Sequence, residues 1–73
     1  MSNLLPWQDR VIEEHADLAQ KIVRLANFMT TDDFRLLGES PRNLLHSQLN
    51  VMNTYLSILE SRIDRFVPEL KIV

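Results

Sequence analysis

After Pro41 the chain runs to Phe66 without a glycine or a proline. Over that stretch its apolar residues fall into two rows at helical spacing. Leu45, Leu49, Met52, Leu56, Leu59, Ile63 and Phe66 form one row, and Leu44, Val51, Tyr55 and Ile58 form a second beside it. A helix buries one stripe against each neighbour it packs on, so two adjacent stripes ask for two neighbours. The chain supplies only one other long helix. The second neighbour has to come from outside the protomer.

That other helix is read from about residue 7 to residue 28. Val11, Leu18, Ile22, Leu25 and Met29 lie on one stripe with His15 in the remaining slot, and Ile12, Ala19, Val23 and Ala26 widen it. The 4-3-4-3 spacing is the narrow seam used by helical bundles. Pro6 stands where proline is tolerated at a helix start. Asp9, Glu13, Glu14 and Asp17 occupy the first half, and Lys21 and Arg24 the second, which complements the helix dipole. Asp17 and Lys21 also make an i,i+4 pair worth about 0.2–0.5 kcal/mol. Thr30-Thr31-Asp32-Asp33 reads as a break and a new N-cap. Phe34 to Leu37 then read as one helical turn ended by Gly38. Ser40 is expected to cap the second long helix with Pro41 at its first position. That helix covers about 27 residues, or about 40 Å. The segment Glu69-Leu70-Lys71-Ile72-Val73 alternates polar and apolar residues, as a short strand or a strip packed on a neighbour does.

The expected fold is therefore all-α: an antiparallel two-helix hairpin with a short helical turn in the connection, one domain over residues 1–73, assembling into a helical homo-oligomer. Each helix of a hairpin covers only one side of the other, so there is almost no interior. A single core in a chain this small rarely supplies more than about 3–5 kcal/mol. There are no cysteines, which removes disulfides and thiolate metal sites. His15 and His46 do not fill a structural zinc site by themselves. Assembly with other chains is the support that remains.

The net charge of −2 argues against a duplex nucleic-acid partner, which asks for a basic face. It leaves room for a small anionic ligand held by a few arginines and lysines. There is no apolar run of about 18 residues, so no membrane span is expected. Met1-Ser2-Asn3-Leu4-Leu5-Pro6 lacks the basic and apolar regions of a signal peptide. The expected compartment is the cytoplasm.

No catalytic residue, metal site or cofactor is expected. The sequence has no glycine-rich phosphate loop, nucleophile elbow or His-Glu-x-x-His. Glu13, Glu14 and His15 are consecutive, and consecutive helical residues point in different directions. His15 reads as a packed, hydrogen-bonded or interface residue, and His46 as an exposed one. Trp7 has two readings, a hydrophobic staple at the helix start or a flat platform for a nucleobase. Lys21 and Arg24 lie one turn apart, and Arg62 and Arg65 repeat that spacing. Arg62 falls in line with Tyr55 and Ile58 on the second stripe, so it needs an anionic partner: Glu60 or Asp64 of a neighbouring chain, or ligand phosphates. Asn50, Asn53, Thr54 and Ser57 form a polar strip that is either solvated surface or the lining of a pocket.

The segments Asp9-Arg10-Val11-Ile12-Glu13-Glu14-His15-Ala16-Asp17-Leu18-Ala19-Gln20-Lys21-Ile22 and Leu44-Leu45-His46-Ser47-Gln48-Leu49-Asn50-Val51-Met52-Asn53-Thr54-Tyr55-Leu56-Ser57-Ile58-Leu59-Glu60-Ser61-Arg62-Ile63 resemble a family of small bacteriophage proteins, the anti-CBASS sponges. The resemblance covers about residues 7 to 66. It implies a compact homo-oligomer, a hexamer in the family, acting in the infected bacterial cell. The implied ligands are cyclic oligonucleotides, sequestered without hydrolysis, with dinucleotides held between protomers and trinucleotides in a second class of pocket. It further implies that Trp7, where the family more usually has tyrosine, stacks on a base. Lys21 would meet phosphate, and Arg62 would serve the trinucleotide pocket. Arg24, one turn from Lys21, is a further candidate ligand-binding residue by its spacing. The rival reading is a helical protein-interaction module that docks on a host or phage protein through the second stripe.

Overall fold

The computed structural model of the chain describes residues 4–66. Pro68 and the alternating segment 69–73 lie outside the described residues. The elements are α1 (Pro6–Phe28), α2 (Asp32–Arg35) and α3 (Glu39–Asp64), and α1 packs against α3. Among the described residues there is no strand.

The helix boundaries follow from hydrogen-bond accounting. Pro6 opens α1, where its missing N–H costs nothing. The Leu5 carbonyl accepts from the Gln8 and Asp9 amides, and the Leu5 N–H donates to Gln8 Oε1 at 2.8 Å. At the far end Thr30 Oγ1 donates to the Asn27 carbonyl at 2.7 Å and Thr31 Oγ1 to the Phe28 carbonyl at 2.6 Å. The backbone amides of the same two threonines also donate to these carbonyls, at 3.1 and 3.0 Å, so the last turn of α1 is closed by i→i+3 bonds doubled by side chains. The Thr31 hydroxyl also accepts from the Phe34 amide at 3.3 Å, so one side chain closes α1 and caps α2. Arg35 then pairs with Asp32 across that short helix.

Two sequence expectations about the connection are corrected. The short helix starts at Asp32 instead of Phe34 and ends at Arg35, with Leu36 still right-handed as its C-cap. Gly38 does not end it in a left-handed conformation. Its φ of −65° and ψ of 168° make it the N-cap of α3, with Glu39 as the first helical residue. Ser40 and Pro41 therefore sit inside the first turn, where amide groups lack intrahelical acceptors and proline is still accommodated.

The first apolar row of α3 faces inward as the periodicity predicts. Leu59 is completely buried between Val11 and Leu18, and Ile22, Met52, Leu56, Ile63 and Phe66 pack around them. An aromatic contact closes each end. Trp7 meets Phe66 edge to face at 5.3 Å. At the connection Phe34 is buried and touches Phe28 and His46, both edge on. His46 is exposed, as expected, and still carries this contact. On α1, Ala19 and Ala26 are half-buried, but Ile12 and Val23 are exposed, so the widened stripe is only partly used.

The second row of α3 is left uncovered: Leu44 and Val51 are 67% and 68% exposed, and Ile58 53%. The hairpin measures 48 × 21 × 21 Å with a radius of gyration of 16.2 Å. A compact domain of this length would have about 11 Å. The shape is a rod with one thin seam, which is the geometry that leaves a second stripe without a partner.

Candidate functional site

Arg10, Glu14, Asp17 and Lys21 follow one another at 4-3-4 spacing and so share one face of α1. With Glu13, Leu18 and Tyr55 of α3 they line an open groove of about 350 Å³. Tyr55 crosses the seam to donate its O–H to the Glu14 carboxylate. On the opposite side of the seam His15 Nε2 lies 3.3 Å from Glu60 Oε1. Glu14 and His15 are neighbours in sequence about 100° apart around the helix, so they clamp α3 from its two sides. His15 is thus a half-buried, hydrogen-bonded histidine, one of the readings open from sequence.

The groove is electrostatically mixed, with Arg10 and Lys21 at its ends and three carboxylates between them. Lys21 and Asp17 share it without forming an ion pair, so the expected i,i+4 pair is not made. Water competes well for two exposed charges, and the gain forgone is small. Among the described residues no cluster of histidine and acidic side chains is arranged to hold a metal ion. Nor is any helix among them long and apolar enough to cross a membrane.

The bond to Glu14 raises the Tyr55 pKa above its ordinary value, because ionisation would place a phenolate beside a carboxylate; partial desolvation adds to this, and the nearby Arg62 charge opposes it. The neutral phenol is the form the fold favours. Its contribution to stability is therefore complete at neutral pH and is lost as pH rises through the raised folded-state value. Tyr55 is the only tyrosine, so its ultraviolet titration should show a midpoint above 10. Glu14→Ala should bring that midpoint back down; an unchanged midpoint would mean the contact is not made in solution.

The four residues singled out from sequence do not converge within one protomer. Lys21 lines the groove. Arg24, a turn away, instead borders a separate recess with Ala19, Gln20 and Val23. Arg62 lies on the Tyr55 side of α3, near enough to influence that phenol, and makes no ion pair with a described residue. Trp7 stands at the open end, 46% exposed with its edge contact to Phe66. It occupies the second helical position of α1, so the staple reading does not describe it; it is a cross-helix contact with an open face. Fourteen residues of helix separate it from Lys21, about 21 Å.

Beside the groove, across Tyr55, a second recess of about 310 Å³ is lined by Asn50, Val51, Thr54, Tyr55 and Ile58. The Thr54 and Ser57 hydroxyls donate to carbonyls of their own helix, at Asn50 and Asn53. Part of the polar strip thereby satisfies itself. Sequence reasoning missed Arg10, Glu14 and Tyr55 as groove residues. The 4-3-4 spacing from Arg10 to Lys21 was the signal for the first two. Tyr55 could be placed only once the side of α3 facing α1 was known.

Residues 5–65 match the family model described as Sequestin. The chain is also 36% identical over 63 residues to the uncharacterized 7.5 kDa protein of the denB–rIIB intergenic region of Enterobacteria phage T4, a match covering 86% of this chain and 98% of that one. No solved structure matches.

Proposed function

This chain belongs to the Sequestin family, a family of phage sequestering proteins, and from that membership we propose that its cargo is a cyclic di- or trinucleotide messenger. The messenger is bound without cleavage at seams between copies of the chain. Lowering its free concentration in the infected cell then blocks CBASS immune signalling. One observation supports this reading most directly. The groove holding Lys21 borders the uncovered stripe through Tyr55, which belongs to both. A second copy that covers the stripe also walls the groove, so assembly and site formation become one event. The 21 Å estimated between Trp7 and Lys21 fits the same arrangement. Residues too far apart to serve one ligand within a chain can meet when they come from different chains.

In this reading Lys21 and Arg24 meet phosphate, Trp7 offers its open face to a base, and Arg62 serves a trinucleotide pocket. The assembly is a homo-oligomer, a hexamer by the family resemblance. Calorimetry with purified protein and a panel of cyclic di- and trinucleotides is the test, and at least one member should bind at micromolar or lower concentration and be recovered unchanged. Lys21→Ala should weaken dinucleotide binding about tenfold or more, the worth of one charged hydrogen bond. Trp7→Ala should cost about 5- to 100-fold if a base stacks there. Arg62→Ala should affect trinucleotides more than dinucleotides. No binding to any member of the panel sinks the proposal, and equal losses for all three variants sink its two-pocket form. The exposed stripe also suits a protein-interaction module, which predicts a stable complex with a host or phage protein and no nucleotide affinity.

A further inference from the structure

Three carboxylates in a groove offered to an anionic ligand need a reason, because contacts to phosphate alone give them no role. Glu14 differs from the other two. Tyr55 donates to its Oε2, which fixes the carboxylate against α3, while Oε1 has no partner among the described residues. Glu13 and Asp17 make no hydrogen bond or ion pair with a described residue. A fixed carboxylate with one free oxygen is a directional acceptor between the cations Arg10 and Lys21. On a cyclic oligonucleotide, phosphates suit the cations, and the groups able to meet an acceptor are ribose 2′-hydroxyls and base N–H donors, of which only the base donors differ from one base to another. A hydrogen bond to a charged acceptor is about twice as strong as one between neutral groups, which offsets the repulsion from phosphates nearby.

We infer that Glu14 is a base-reading residue, whose free oxygen accepts the imino N–H of guanine or uracil while Tyr55 holds it in place. Adenine presents a lone pair at the same position of its pairing edge, so the carboxylate repels it. The residue thus selects which cyclic oligonucleotides the protein retains. This rests on the sequestration reading above and adds to it the chemical class of the base.

The test compares cyclic diguanylate with cyclic diadenylate by calorimetry on the full chain, with native mass and helix content recorded for each variant. The wild-type protein should prefer the guanine ligand by about tenfold or more, the usual worth of a matched hydrogen-bonding edge. Glu14→Gln should erase or invert that preference, because Tyr55 can still donate to the amide oxygen and the amide N–H₂ then faces the base. Tyr55→Phe, which leaves the carboxylate but frees it, should reduce the preference. The ratio of affinities is the readout, since a loss of folding or assembly lowers both ligands together. Equal wild-type affinities, or an unchanged ratio in Glu14→Gln, overturn the inference alone. If the wild-type protein binds no cyclic oligonucleotide at all, the sequestration reading itself fails, and the inference falls with it.

Discussion

Leu59→Ala should destabilise the hairpin by about 2–5 kcal/mol, the range for a large aliphatic side chain removed from a closed core. Among the described residues Leu59 alone has 0% exposure, and it packs with Val11 and Leu18 in the half of the seam away from the connection. The whole core of a chain this size supplies only about 3–5 kcal/mol, so a protomer carrying this change has little stability left. Urea unfolding followed by circular dichroism should show the midpoint falling steeply, with helix content depending on protein concentration if assembly is what holds the chain together. Leu36→Ala is the internal control. That side chain, in the connection and outside both rows of α3, is 82% exposed, and such a site ordinarily changes stability by less than about 0.5 kcal/mol. Similar small losses at both positions would mean that the α1–α3 seam is not the core.

The second large effect concerns the outer stripe. On the proposal that copies of the chain cover it, Val51→Asp combined with Ile58→Asp places two charges where apolar contact is needed. Leaving an uncompensated charge buried costs about 3–5 kcal/mol, more than a stripe of this length can offset. The variant should keep its helix content, because neither residue touches the α1–α3 core, yet drop to a smaller species in native mass measurements. Its affinity for cyclic dinucleotides should fall by a hundredfold or more, although Arg10, Glu14, Lys21 and Trp7 are all unchanged. A dissociated variant with full affinity would show that one protomer carries a complete site, and a fully assembled variant would show that the stripe is not the contact.

Much of this molecule was legible in its residue spacing. The inward row of α3 was read correctly at every position from Leu45 to Phe66 because a long helix without breakers keeps its phase. The seam of α1 was legible for the same reason, with His15 in its predicted slot. The connection was misjudged by two residues at each junction. Capping there depends on which hydroxyl reaches which orphan amide, and Thr31 takes both roles at once. Gly38 was misread because glycine is common as a helix stop, whereas here it starts a helix with an ordinary extended φ.

The groove was less legible. Lys21, singled out from the sequence, lines the groove, but its neighbours there were not singled out, and Arg24 borders a different recess. Periodicity says which residues share a face of one helix; it does not say how a second helix is rotated against that face. The sequence by itself determined two amphipathic helices, their inward rows and an apolar stripe in excess of what one partner covers. These follow from local geometry at 3.6 residues per turn. Only the tertiary structure decided that Tyr55 reaches Glu14 on one side of the seam and that His15 reaches Glu60 on the other. Those pairings depend on the rotation of α3 about its own axis, which is set by the packing of Leu59 between Val11 and Leu18 and not by the pattern of either helix alone.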